Sequence, residues 1–461
     1  MTGSAVDGDG IQQTRPRELR RVVSASLVGT ALEWYDFFIY GFLVTLVFNK
    51  LFFPTGDPAV GTIIGFATFG VAFAVRPLGG FLFGHLGDRI GRRATLVITT
   101  LVMGISTGLI GLLPTYADIG LAAPILLTLL RMCQGLGAGA EFGGAATLMA
   151  EHAPAGRRGF YTSFAQTGVQ IGLLLGTVVF LILELLPDQT VLNWAWRLPF
   201  LVSFAMIAVS LYVRLRVAES PVFRKMAQGR GIVKMPMLDA VRAYPRNFLI
   251  GIGAHVCDTA VIYLYAIYSV AYVQNVLDLP RWVGLTGVIT FTVIVIILQP
   301  VYGALSDRIG RRPLNLFSVV FTAAFAFPFF AMLDTRIPVV IWLALVIATS
   351  LGFAPMVAVQ PVFYAELFGA RVRYTGFAAS REIGAALGGF SPLIAATLVA
   401  QAGGRGWLVA AWMVGTALVS FAAFYFAREG RDVDIAAADV AEAPPVTAGS
   451  ARRESGSAVA T

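Results

Sequence analysis

The sequence predicts an all-α membrane protein: twelve transmembrane helices in two pseudo-symmetric six-helix bundles. Three observations carry this: the apolar runs, the placement of the basic residues, and a duplicated ten-residue motif. Of 461 residues, 57% are apolar and only 13% charged, roughly half the charged share of a soluble chain. A helix needs roughly 20 apolar residues to cross the hydrocarbon core. Such runs fall near 24–48, 60–84, 94–113, 119–148, 160–185 and 197–213, and again near 247–274, 282–304, 313–333, 338–363, 374–400 and 406–427. The run after the polar residues 1–23 is too long for a signal-peptide core, so it is read as the first span.

The basic residues orient these spans. With the N-terminus inside, the outer segments hold only Lys50, Arg197, Arg281, Arg336 and Arg405, and Arg76, Arg131 and Arg381 fall within spans. All the rest of the 34 Lys and Arg lie on the inner side, the positive-inside pattern. Because they are spread over short loops and tails, the net charge of +8 does not indicate nucleic-acid binding. Both termini are expected in the cytoplasm.

The motif divides the chain. Residues 84–93 read GHLGDRIGRR and residues 303–312 read GALSDRIGRR, each after the second span of its half. Glu151 with Arg157 and Arg158 is echoed by Glu366 with Arg371 and Arg373. The expected layout is a cytoplasmic tail at 1–23, a bundle at 24–213, a cytoplasmic loop at 214–246, a second bundle at 247–427 and a disordered cytoplasmic tail at 428–461. In each motif a glycine (Gly84, Gly303) lets backbones approach. An aspartate (Asp88, Asp307) accepts hydrogen bonds and can face a helix N-terminus. Arg89, Gly91 and Arg92, like Arg308, Gly310 and Arg311, complete the loop, with the arginines free to pair with neighbouring carboxylates. Duplication at matched positions points to a gating latch.

Several function classes are excluded. No G-x-x-x-x-G-K-[ST] loop is present, so ATP drive is not expected, and neither G-x-S-x-G nor H-E-x-x-H occurs. Cys133, Cys257 and three histidines give no metal or disulfide spacing. No cofactor or metal is expected, and the protein is not read as an enzyme.

The repeated G-x-x-x-D-R-x-G-R-R loop resembles the signature of the major facilitator superfamily, as RMCQGLGAG at 131–139 resembles its fourth-helix motif. EWYDF at 33–37, FGVAFAVRPLGGFLFGHLGDRIGR at 69–92, GAEFGGA at 139–145, WAWRLPF at 194–200 and ESPVF at 219–223 are similar to the metabolite:proton symporter family, above all to its shikimate-transporter-like branch. That family includes transporters of shikimate, 2-oxoglutarate, citrate and proline/betaine. The resemblance covers about residues 20–427. It implies two bundles rocking about a central site, driven by the proton gradient, in the inner membrane of a bacterial cell. A monomer is expected.

Ionisable residues at membrane depth cost ~2.5–3.5 kcal/mol on insertion scales and are functional candidates by default. Glu33 and Asp36 lie three apart on one helix face, continued by Tyr40. Asp36 matches the family's aromatic-aromatic-Asp motif, and Glu141 its Gly-Gly-Glu-aromatic segment. These three carboxylates are the expected proton-coupling groups. Arg131 cannot shed its proton, so a carboxylate of the protein or of the substrate must neutralise it. Protonating the protein's acid would free it for a substrate carboxylate. Arg76, placed near the inner end of the second span, is read as a structural ion pair by the gate. Arg381 and Glu382 stand where shikimate-like members are uncharged and are read as setting substrate choice, as is Asp258 with His255. Tyr40, Gln134, Gln166, Gln170, Tyr265 and Gln360 complete the expected binding set; buried interhelical pairs are the plain alternative for these polar groups.

The resemblance and the buried charges imply a proton symporter of a small organic carboxylate. The alternatives are a proline or betaine symporter, for which Trp34, Tyr35, Tyr263 and Tyr265 would cage a quaternary ammonium, and a membrane sensor without transport.

Overall fold

The computed structural model describes residues 16–55, 58–90, 92–139, 141–154, 156–215, 241–369 and 372–431. The two tails beyond these residues, and most of the central loop, lie outside the described residues. Among the described residues, twelve helical segments succeed one another. The first half contains α1 (Pro16–Leu43, continued to Leu51), α2 (Pro58–Ile90), α3 (Arg92–Ile110), α4 (Ala122–Ala138 and Glu141–His152), α5 (Arg158–Glu184) and α6 (Leu198–Leu215). The second contains α7 (Pro245–Ala254 and Val256–Asn275), α8 (Arg281–Ile309), α9 (Arg311–Leu333), α10 (Pro338–Leu367), α11 (Arg373–Gly389 and Ser391–Gln401) and α12 (Trp407–Phe426). Each expected apolar run thus becomes one span. Ten are long and apolar enough to cross a membrane on composition alone; α3 offers a shorter apolar stretch, Val97–Ile110.

Wide apolar faces remain exposed, including Leu78, Phe81 and Leu82 on α2 and Leu343 on α10, as lipid-facing helices require. Polar and ionisable side chains turn inward. Small residues bring the helices together: a Cβ at Gly135 or Gly139 of α4 would run into the backbone of Ala72 or Arg76 of α2. Small residues spaced by four on one helix face allow such close approaches.

The repeat extends to local distortions that the motif did not announce. α1 contains a π-helical turn at Val44–Phe48 and α7 one at Leu264–Tyr268, almost the same spacing that separates the motifs. α10 has a third at Ala348–Phe353. Such turns mark functional places in helices more often than chance allows.

The two ends of the molecule differ. At the motif end, Asp307 accepts hydrogen bonds from the backbone N–H of Gly159 (2.8 Å) and Phe160 (2.9 Å), in the first turn of α5. The carboxylate thereby satisfies amides that the helix leaves unpaired. Gly303 touches the backbone of Gly159, so a side chain at either would separate α5 from α8. Arg311 joins Asp307 (2.9 Å) and Glu366 (3.1 Å), and Arg373 joins Glu151 (3.4 Å) across the halves. Gly310, at φ 101°, makes the turn between α8 and α9, a conformation open to glycine. Arg308 is exposed, and its carbonyl accepts a bond from Arg431 (2.6 Å). Of the first motif copy, Gly91 lies outside the described residues, and nothing is described of the side chains at Gly84, Asp88, Arg89 and Arg92.

At the opposite end a vestibule of about 1120 Å³ opens between the halves, lined by Asn49, Thr62, Glu184, Tyr268, Tyr272 and Arg281, among others. Arg281 of α8 and Glu184 of α5 form an ion pair across it at 2.7 Å.

Candidate functional site

Below the vestibule the halves meet. Ile267, in the π turn of α7, fills the space that a side chain at Gly41 of α1 would need. Tyr263 packs on Phe69 (5.2 Å), Phe73 (5.1 Å) and Phe38 (6.0 Å). Beneath this plug lies a cavity of about 30 Å³, lined from both halves by Trp34, Arg76, Gln166, Asp258, Tyr263 and Arg381, among others. It has room for little more than one water molecule, so a metabolite enters only if the halves move apart.

The charges at this cavity are paired across the halves. Glu382 of α11 lies 2.5 Å from Nη1 of Arg381 and 3.6 Å from Nη1 of Arg76 on α2. All three side chains are almost wholly buried. Arg76 is sandwiched by rings, its guanidinium 4.1 Å from the Phe37 centroid and 4.4 Å from that of Phe73. Arg381 lies 4.1 Å from the Phe142 ring. Aromatic faces partly replace water around a cation. Yet Nε and Nη2 of Arg76, Nε of Arg381, Nε1 of Trp34 and the hydroxyl of Tyr263 have no hydrogen-bond partner among the described residues. Every one of these atoms can donate. Oε2 of Glu382 is also without a hydrogen-bond partner among the described residues, so at this site unmet donors outnumber unmet acceptors, and a buried donor left unmet is costly.

Beside it runs a second network. Nδ1 of His255 lies 2.9 Å from Asp258 Oδ1 and 2.8 Å from Nε2 of Gln360, which donates to Asp258 Oδ2 at 2.9 Å. Gln166 of α5 donates to Gln360 Oε1 at 3.1 Å, linking the halves.

The expected residues thus separate into two groups. Asp258, Gln166, Gln360, Arg381 and Glu382 gather at the centre. Arg131, Gln134 and Tyr40 lie inside the first half. There Arg131 donates to Gln134 Oε1 and to the Phe69 carbonyl (3.4 Å), with its guanidinium 3.9 Å from the Tyr40 ring. Gln134 donates to Thr107 (2.9 Å), and the Tyr40 hydroxyl bonds to Thr68 (2.7 Å). Among the described residues no carboxylate forms an ion pair with Arg131, so the neutralising acid expected for it is not in contact. Asp36 instead accepts a bond from Ser203 (2.6 Å). It shares a separate cavity of about 30 Å³ with Glu33 and Glu141.

Tyr265 is not among the residues that line the central cavity; it packs edge-on against Phe329 of α9 at 5.1 Å. Arg76 forms the ion pair expected of it, with Glu382. The apolar span of α2 is Val60–Phe83 and the helix runs on to Ile90, which sets Arg76 ~10 Å from the inner end of the span and ~21 Å from the helix end at 1.5 Å per residue. Gln170 is buried, and neither end of its amide has a partner among the described residues.

Residues 26–389 match the Major Facilitator Superfamily. The chain is 40% identical over 436 residues to the inner membrane metabolite transport protein YhjE of Escherichia coli, covering 91% of this chain and 97% of that one. It is 37% identical to the shikimate transporter of the same organism (88% and 95%) and 36% identical to the proline/betaine transporter of Salmonella typhimurium (83% and 78%). Among solved structures it superposes on the Escherichia coli xylose transporter XylE with a TM-score of 0.71, at 19% identity, over 91% of this chain and all of that one. The duplicated motif, the twelve spans and these relatives agree: the chain belongs to the Major Facilitator Superfamily, as a multi-pass membrane transporter of its metabolite:proton symporter family.

Proposed function

We propose that this transporter carries a small organic carboxylate together with a proton across the inner membrane of a bacterial cell. It works by alternating access, is driven by the proton gradient with no resident cofactor, and has both termini in the cytoplasm. The observation that supports the proposal is Glu382 held between Arg76 and Arg381, beside a cavity around which unmet donors outnumber unmet acceptors. A carboxylate of the protein occupies the place that a substrate carboxylate would take. When Glu382 takes up a proton it loses its hold on the two guanidiniums. A substrate carboxylate entering from the vestibule then satisfies them, with Trp34 and Tyr263 as further donors. The buried charge stays balanced only when proton and anion arrive together, and an unbalanced charge at this depth is expensive. That is coupling. Asp36, Glu141 and Glu33 form a second acidic pocket one helix layer away, and we assign it the relay of protons within the first half.

A proline or betaine substrate is less well served. Of the four rings that would cage its ammonium, Tyr35 donates to the Pro199 carbonyl (3.2 Å) and Tyr265 packs on Phe329. Trp34 already lies under the protein's own cation, 5.1 Å from Arg76.

The test is uptake by proteoliposomes under an inward proton gradient, offered shikimate, benzoate, 2-oxoglutarate, proline and betaine in turn. Accumulation of a carboxylate, abolished by an uncoupler, is expected. Proton-driven accumulation of betaine or proline with no carboxylate uptake would overturn the substrate class. Carboxylate uptake indifferent to the uncoupler would overturn the coupling.

A further inference from the structure

α7 is broken at His255, whose backbone (φ −100°, ψ 0°) leaves the helical region between the segments Pro245–Ala254 and Val256–Tyr263. In an unbroken helix the N–H of Cys257 would donate to the carbonyl of Gly253. Here a single hydroxyl stands between them. Ser420 of α12, itself fully buried, donates to the Gly253 carbonyl (2.6 Å) and accepts from the Cys257 N–H (3.0 Å). A serine hydroxyl can do both at once, and a side chain inserted in the ladder bends a helix. α11 seals the arrangement from the other side: a Cβ at Gly384 would come within 2.5 Å of the Ile252 carbonyl and 2.9 Å of His255 Cβ. The break therefore packs directly against the helix that carries Arg381 and Glu382. On its own helix it directs His255 and Asp258 at Gln360.

The device occurs twice. Where α10 leaves its π turn, Ser318 of α9 donates to the Gly352 carbonyl and accepts from the Met356 N–H (3.2 Å). Gln360 follows one turn later. Both helices that supply the His255–Asp258–Gln360 network are thus held open by a serine from a neighbouring helix.

We propose that Ser420 is a positioning residue for the solute site, acting through the break in α7 without touching solute; Ser318 plays the same part for α10. Without the hydroxyl, the Cys257 N–H and Gly253 carbonyl close on each other, α7 straightens, and His255 and Asp258 turn away from Gln360. The proposal rests on the reading that this network borders the solute site.

The test compares Ser420→Ala with Ser420→Thr, which keeps the hydroxyl. Two readouts are taken: the affinity for the carboxylate that the wild type accumulates, and the NMR signal of His255 in histidine-labelled protein, assigned among three histidines by His255→Gln. Ser420→Ala should move the His255 signal and weaken affinity on the order of ten- to a hundredfold, the range for groups misplaced by about 1 Å. Ser420→Thr should leave both near wild type. An unmoved signal with unchanged affinity in Ser420→Ala overturns the proposal, even if thermal stability falls. Should Ser420→Ala fail to fold, Ser420→Cys, with a weak donor of similar size, is expected to behave as described for the alanine, and wild-type behaviour overturns the proposal equally. If the wild type accumulates no carboxylate, the functional reading fails, while the His255 signal still decides the role of Ser420.

Discussion

Arg76 and Arg131 begin alike and end differently. Both are buried at membrane depth in the first half, and both lie over aromatic rings. Arg131 is held by Gln134, the Phe69 carbonyl and the Tyr40 face, all in its own half. Arg76 reaches Glu382 in the other half. A contact inside one half survives when the halves rock; a contact between them is remade or broken. On the proposed mechanism, the difference points to Arg76 for the exchange of carboxylates and to Arg131 as a fixed cation within the first half.

The largest effect is therefore expected at Arg76. Arg76→Ala removes one cation from a buried pair, a change that costs ~2–5 kcal/mol at desolvated contacts, roughly 30-fold or more in affinity. Carboxylate uptake should fall to background, and a titration of the transported acid should show the loss as weaker binding. If Arg131→Ala weakens binding more than Arg76→Ala does, the contrast between the two sites is reversed.

Next come the acids. Glu382→Gln mimics the protonated state permanently. It should abolish uphill accumulation while sparing exchange of labelled for unlabelled solute, because exchange needs no net proton movement. Asp36→Asn, whose partner is Ser203, should slow proton-driven uptake on the order of a hundredfold, the low end of what a positioned proton-transfer group contributes. The two variants are compared in the same proteoliposomes. Normal accumulation by Glu382→Gln, with none by Asp36→Asn, would return coupling to the acids of the first half.

Much of this was legible in the residues. Apolar run length located the described spans, since lipid leaves a helix few alternatives, and the duplicated motif marked the ion-paired cluster of Asp307, Arg311 and Glu366. Asp307 does face a helix N-terminus, as its chemistry suggested. Arg76 was legible as a buried ion-pair member in the inner half of the second span, but its partner in the other half was not. Tyr265 shares a helix with Asp258, but it lies within the π turn at Leu264–Tyr268, which breaks the regular helical spacing between the two. The inserted hydroxyls of Ser420 and Ser318 have no local signature, because each acts on a helix other than its own. Pairing between halves is illegible for the same reason: nothing near Arg76 in the chain names Glu382.

The smallest effect tests the fixed site. Tyr40 offers Arg131 a ring face at 3.9 Å and gives its hydroxyl to Thr68 at 2.7 Å. Tyr40→Phe keeps the ring and loses the hydroxyl, so the expected cost is one net hydrogen bond, about 1 kcal/mol. Tyr40→Leu removes the ring as well and adds the cation–ring term, ~0.5–2 kcal/mol where water is excluded. Thermal unfolding in detergent measures both, and uptake is measured beside it. A static Arg131 requires that stability fall in the order wild type, Tyr40→Phe, Tyr40→Leu, while solute affinity stays level. Affinity falling in step with stability would mean that the Arg131 site moves with the transport cycle after all, and that an arginine bonded only within its own half can still sense the solute.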